Sequence, residues 1–76
     1  MPHIAVKLHA GRSEKEKQTL ADEMTKVLNQ VIGSQDESIS VSIEDIQPSE
    51  WMSKVFDKEI VRDKHLLYKR PGYAPV

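Results

Sequence analysis

The fold of this chain begins in residues 3–16, HIAVKLHAGRSEKE, where a strand pattern gives way to the start of a helix. Apolar and other side chains alternate across residues 3–9, with Ile4, Val6 and Leu8 on one face. A period of two is typical of a half-buried strand, so residues 3–9 are predicted to form one.

A capped helix is predicted directly after the turn at Ala10-Gly11. Ser13 and Glu16 have the spacing of a capping box, in which each side chain binds the other residue's backbone N–H. Gly33 is well placed to end the helix. The apolar residues between fall at helical spacing and form one stripe: Leu20, Met24, Val27, Leu28, Val31 and Ile32.

A second alternation of apolar and polar residues follows the helix, at Ile39, Val41 and Ile43. Strand, helix and strand in this order form a βαβ unit, whose strands run parallel with a right-handed crossover. The predicted fold class is therefore α/β (α+β), a single βαβ unit with short C-terminal helices. A sheet of two strands is too small to be stable alone. We therefore expect antiparallel pairing with a second subunit to complete the sheet.

One domain is predicted over residues 1–76, with a βαβ core at 2–47 and a C-terminal helical segment and tail at 48–76. Pro48 suits the first turn of a short helix, and a further helical turn or two is expected towards Leu67.

Composition excludes several classes of protein. The 76 residues include 11 basic and 12 acidic side chains, so the net charge of −1 lacks the positive field of a nucleic-acid binder. No apolar run approaches the roughly 20 residues of a membrane span, and no signal-peptide pattern opens the chain. We expect a cytoplasmic protein, with neither nucleic acid nor membrane as partner. The chain has no cysteine, and its small core favours a homo-oligomer.

The three histidines do not predict a metal site. His3 and His9 share a strand face but lie about 20 Å apart along it, too far to bind one ion together. Neither a nucleophile elbow nor a glycine-rich phosphate loop is present. No metal site is therefore expected.

Pro2 has chemistry to offer only if Met1 is removed. Its nitrogen is then an α-amino group, for which the ordinary pKa is about 7.7–8.0. Burial and a nearby cation both lower such a pKa, which makes the amine a general base at neutral pH. The alternative is that Pro2 is simply a common second residue.

The opening MPHIAVKLHAGRSEKEKQTLADEMTKVL resembles the 4-oxalocrotonate tautomerase family, which consists of short βαβ chains with an amino-terminal proline. The matching features are Pro2, the alternating strand, the Gly11-Arg12-Ser13 junction, the capped helix and Trp51. The segments EWMSKVFDKEI and LLYKRPGYAP resemble a subgroup with a longer, partly helical tail. The resemblance implies an isomerase, a keto–enol tautomerase that needs no cofactor.

The resemblance also implies a site that contains Pro2, Arg12, Ser40 and Trp51. Pro2 is the expected proton-shuttling base, and Arg12 is expected to bind a substrate carboxylate; the alternative for Arg12 is a surface arginine beside the helix cap. Trp51 matches an aromatic wall of the site, with a core tryptophan as the alternative. Ser40 stands where the family's type member has a second arginine. Oxyanion stabilisation is therefore expected to be weaker, or to come from a backbone N–H or from Lys7.

Without that second arginine, a substrate with one carboxylate is expected rather than a dicarboxylate. An aromatic enol-pyruvate such as phenylenolpyruvate would suit Trp51. Two alternatives stay open: a non-catalytic oligomeric binding or scaffold protein on the same fold, and a hydratase or dehalogenase of unsaturated acids that uses Pro2.

Pro2 and Arg12 are predicted at opposite ends of the first strand, about 23 Å apart. They cannot readily meet within one subunit, whereas an antiparallel neighbour would bring its Arg12 to this Pro2. The sequence thus predicts a symmetric dimer with two shared sites. The family's type member is a hexamer, but the longer tail resembles the subgroup that stops at the dimer, so a dimer is favoured over a hexamer.

Overall fold

A computed structural model describes all residues, Met1–Val76, and its first elements are strand, helix and strand. Strand β1 covers His3–His9, helix α1 covers Glu14–Ile32 and strand β2 covers Ser40–Ile46. The predicted βαβ order is confirmed. The second strand begins one residue later than the alternation that starts at Ile39 had indicated.

The two strands lie next to each other in a two-stranded sheet. A short 3-10 helix, Asp36–Ser38, leads into β2. The backbone N–H of Ser40 donates to the carbonyl of Pro2 at 3.3 Å, so both strands begin at the same end of the sheet. Paired strands that start together run parallel, as the crossover through α1 requires.

Local hydrogen bonds fix both ends of α1. The backbone N–H of Glu16 donates to Ser13 Oγ at 3.0 Å, and the backbone N–H of Ser13 donates to Glu16 Oε1 at 3.0 Å. The predicted capping box is thus confirmed. Gly33 ends the helix at a φ of 70°, a left-handed conformation that favours glycine, and its N–H donates to the carbonyl of Asn29 at 3.1 Å.

The chain after β2 forms helices of two unusual kinds. A 3-10 helix at Pro48–Glu50 is followed by a π-helix at Met52–Val61 and by a second 3-10 helix at Lys64–Leu66. At the end of the π-helix, the N–H of Arg62 donates to the carbonyl of Asp57, five residues back, at 3.1 Å. The predicted C-terminal helices are present, but their hydrogen-bond pattern was not predicted.

The chain divides into two compact units, Met1–Asp45 and Ile46–Val76. The first unit contains β1, α1 and nearly all of β2, and the second contains the C-terminal helices. None of the helices combines the length and the apolar character that crossing a bilayer requires.

Few side chains are buried within a single chain. Ile46 and Val55 are the only buried hydrophobic residues, at 3% and 5% exposure. Along α1, Met24 and Leu28 are half-buried. The remaining residues of the predicted apolar stripe are exposed: Leu20, Val27, Val31 and Ile32. The helical spacing of the stripe is confirmed, but a single chain covers only part of it.

Candidate active site

Pro2 lies half-buried at the edge of the sheet where both strands begin. Its carbonyl accepts the backbone N–H of Ser40 at 3.3 Å. Met1, the residue before Pro2 in the chain, is fully exposed. While Met1 is attached, the Pro2 nitrogen is an amide nitrogen and has no basic lone pair. The chain itself therefore brings together two of the predicted site residues, Pro2 and Ser40.

The Ser40 hydroxyl has a partner that was not among the predicted site residues. Ser40 Oγ lies 2.7 Å from His3 Nδ1, which is hydrogen-bond distance. Residues 3 and 40 each open a strand of the same parallel pair, so the contact follows from the register of the two strands, which the alternation alone did not fix. The structure contains no group of three or more His, Cys, Asp or Glu side chains arranged for a metal ion.

Arg12 lies beyond the opposite end of β1, next to a cavity. Its Nη1 is 3.5 Å from Glu16 Oε2, and its side chain is 67% exposed. The cavity has a volume of about 190 Å³ and is lined by Leu8, Arg12, Glu16, Lys17 and Leu20. The guanidinium of Arg12 and the apolar side chains of Leu8 and Leu20 thus line the same cavity.

The second cation of this cavity is already paired. Lys17 Nζ lies 2.9 Å from Asp45 Oδ2 and 3.2 Å from Glu14 Oε1. Hydrogen bonds to Asp45 first and to Glu14 second raise the pKa of Lys17. Because two carboxylates hold Lys17 and only one contacts Arg12, Arg12 is the better placed cation for a substrate carboxylate.

Glu16 also has a fixed place beside the cavity. Its pKa is lowered mainly by the backbone N–H of Ser13, then by the Ser13 hydroxyl, with a smaller effect from the charge of Arg12. The carboxylate is therefore ionised over the neutral range, and it links the helix cap to Arg12.

Pro2 and Ser40 are separated from Arg12 and its cavity by the length of β1. A strand of seven residues, His3–His9, extends over about 20 Å. Pro2 precedes this strand and Arg12 follows it, so one chain does not bring these two residues together.

Trp51 lies in the second unit, immediately before the π-helix. Its Nε1 donates to the hydroxyl of Tyr73 at 3.2 Å. The ring of Tyr73 also packs on Phe56, with 5.9 Å between centroids and 44° between planes. Tyr73 was not predicted from sequence as a partner of Trp51, because the two are far apart in the chain.

Comparisons with known proteins find one matching family model and several similar chains. A family model described as Tautomerase enzyme matches residues 2–56, the part that contains Pro2, Arg12, Ser40 and Trp51. A "Probable tautomerase" of Xylella fastidiosa is 41% identical over 74 residues, which cover 97% of this chain and 90% of that protein. "Tautomerase PptA" of Cronobacter sakazakii is 40% identical over 74 residues, covering 96% and 97%. "Tautomerase PptA" of Pectobacterium carotovorum is 43% identical over 76 residues, covering 97% and 99%.

Proposed function

Since this chain belongs to the tautomerase family and is therefore an isomerase, we propose that the Pro2 nitrogen is the general base of a keto–enol tautomerase. The observation that carries the proposal is the place of Pro2, half-buried at the sheet edge, with Ser40 beside it and an exposed Met1 in front of it. Removal of Met1 frees the amine.

The proposed reaction moves one proton from oxygen to carbon and replaces a C=C double bond by a C=O double bond. Pro2 takes the proton from the enol hydroxyl, the C–O bond becomes C=O, and the former C=C bond supplies the electron pair that accepts the proton at carbon. Arg12 binds the substrate carboxylate, Ser40 donates a hydrogen bond to the substrate oxygen, and Trp51 faces the apolar group. The substrate carbonyl is its own electron sink, so the step draws on no cofactor.

We propose a 2-keto or enol acid with one carboxylate and an aromatic group, such as phenylenolpyruvate, as the substrate class. The cavity beside Arg12 supports one carboxylate, because its other cation, Lys17, is held by two acidic side chains. Ser40 carries no charge where a second carboxylate would need one. The contacts among Trp51, Phe56 and Tyr73 support an aromatic environment in the second unit.

We propose a dimer with two shared sites rather than a hexamer. Pro2 and Arg12 lie at opposite ends of β1, so antiparallel pairing would place the Arg12 of one chain near the Pro2 of the other. The sheet also has an unpaired outer edge on each strand, and such edges pair readily with another chain. A location in the cytoplasm stays a prediction.

The test is tautomerisation of phenylenolpyruvate by the wild type and by Pro2→Ala, with intact mass recorded to establish that Met1 is absent from both. Loss of the positioned base should lower kcat by roughly a hundredfold or more. A Pro2→Ala variant with wild-type kcat/KM would contradict the proposal. A wild type with no activity on a panel of 2-keto acids would favour the scaffold alternative.

A further inference from the structure

We infer that His3 is a positioning residue of the active site, holding Ser40 Oγ so that the Ser40 hydroxyl donates to the oxygen of the enolate. This inference rests on the proposed function and deepens it. It identifies the pair of side chains that supplies oxyanion stabilisation where this chain has a serine in place of an arginine.

The geometry holds Ser40 at two points. Its backbone N–H donates to the carbonyl of Pro2 at 3.3 Å, and its Oγ lies 2.7 Å from His3 Nδ1. His3 follows Pro2 directly in the chain, so one short backbone segment carries both the proposed base and the partner of the hydroxyl. The exposed Ser40 hydroxyl is therefore hydrogen-bonded to the residue that directly follows Pro2.

The direction of the hydrogen bond decides what Ser40 can do. A hydroxyl has one proton to donate and lone pairs that accept. When Nδ1 carries a proton, it donates to Ser40 Oγ, and the Ser40 proton is available to the substrate oxygen. When Nδ1 has no proton, the hydroxyl donates to the ring and offers only lone pairs, which repel an enolate oxygen. Only the first arrangement assists the reaction.

The same arrangement also strengthens the donor. A hydroxyl that accepts a hydrogen bond becomes a better donor in turn, and the effect is larger when its partner is charged. His3 and Ser40 together can thus supply a polarised donor that a lone serine would not.

Lys7 and Arg12 of the same chain lie too far along the backbone for this role. Lys7 is five residues along β1 from Pro2, about 17 Å in an extended strand, and Arg12 is farther still. The His3–Ser40 pair, in contrast, lies where β1 and β2 begin, directly after Pro2.

The first experiment is a double-mutant cycle in kcat for phenylenolpyruvate, with His3→Ala, Ser40→Ala and the double variant. Removal of an oxyanion donor should lower kcat about a hundredfold for Ser40→Ala, with little change in KM. His3→Ala should lower kcat about tenfold. Because His3 acts through Ser40, the double variant should be no slower than Ser40→Ala. Multiplying losses would overturn the inference.

Two amide variants test the position of the nitrogen. The amide of His3→Asn stands where Nδ1 stands, so it can donate to Ser40 Oγ and should restore most of the activity lost in His3→Ala. The amide of His3→Gln lies one bond farther out and should not restore it. Equal activity of the Asn, Gln and Ala variants would overturn the inference.

A measurement without substrate tests the hydrogen bond itself. The ¹⁵N chemical shift of His3 Nδ1 should change in Ser40→Ala, and an unchanged shift would overturn the inference. Pro2→Ala is assayed in the same experiment to distinguish failure of the His3 inference from failure of the proposed function. If Pro2→Ala loses activity while the His3 and Ser40 losses multiply, the inference fails and the proposed function stands. If Pro2→Ala keeps full activity, the proposed function fails.

Discussion

Arg12 and Glu16 are joined through the helix cap: Glu16 Oε2 lies 3.5 Å from Arg12 Nη1, while Glu16 Oε1 accepts the backbone N–H of Ser13 at 3.0 Å. One carboxylate thus serves both the start of α1 and the proposed substrate-binding cation. The structure of the cap and the availability of Arg12 are therefore linked.

Glu16→Gln should lower KM for a substrate with one carboxylate, because Gln can keep the capping box while it no longer competes for Arg12. An exposed ion pair is weak, so the expected change is about two- to fivefold in KM with kcat unchanged. Steady-state kinetics measures it. Glu23→Gln is the matched control, because this substitution changes the net charge by the same amount. It removes a different exposed ion pair, that of Glu23 with Lys26 at 3.1 Å. A higher KM for Glu16→Gln would mean that Glu16 positions Arg12 instead.

Mixing Pro2→Ala and Arg12→Ala subunits should restore activity if each site takes Pro2 from one chain and Arg12 from its partner. Half of the randomly mixed dimers then contain one intact site of two, which gives roughly a quarter of the wild-type activity. The measurement is kcat after the two inactive variants are dissociated and reassembled together. Each variant reassembled alone is the control. An inactive mixture that contains heterodimers by mass spectrometry would argue against shared sites.

Tyr73→Phe should alter the environment of Trp51, because it removes the hydroxyl that accepts from Nε1 and keeps the ring that packs on Phe56. Trp51 is the only tryptophan of the chain, so its emission spectrum reports the change directly. The expected loss in free energy of unfolding is small, about 0.5 kcal/mol. Tyr68→Phe is the matched control, since Tyr68 is fully exposed. Identical spectra for the two variants would contradict this role of Tyr73.

Lys17 should make the stability of the fold sensitive to alkaline pH. Asp45 and Glu14 raise its folded-state pKa above the ordinary value of about 10.4. A raised pKa contributes stability that is complete below the unfolded-state value and is lost as the pH rises through the folded-state value. We therefore expect this contribution at neutral pH and its loss above about pH 10.4.

Lys17→Met should remove that part of the alkaline loss, as measured by chemical unfolding at a series of pH values. Lys26→Met, which breaks an exposed pair on the same helix, is the control. The same pH dependence in the wild type and Lys17→Met would rule out this contribution of Lys17.

Local patterns predicted the first half of the chain well, because the interactions that form it are close in sequence. Ser13 and Glu16 form their capping box within one helical turn, and the alternation in β1 needs only its own residues. The π-helix at Met52–Val61 was not predicted. Apolar spacing does not distinguish a helix whose backbone hydrogen bonds reach five residues back from an α-helix, in which they reach four residues back.

The candidate site shows the same limit. The resemblance indicated Pro2 and Ser40 separately, but their contact, and that of Ser40 with His3, depends on how two distant strands align. Likewise, the spacing of Val27 and Val31 predicted an apolar stripe on α1 and could not say what covers it.

The scarcity of buried side chains has a consequence for how the protein is handled. With only Ile46 and Val55 buried, one chain gains little free energy from folding alone, and we expect association between chains to supply the rest. Folding and assembly then share one equilibrium governed by mass action. We expect Tm to rise with protein concentration and specific activity to fall on dilution, so enzyme concentration belongs among the variables of every assay.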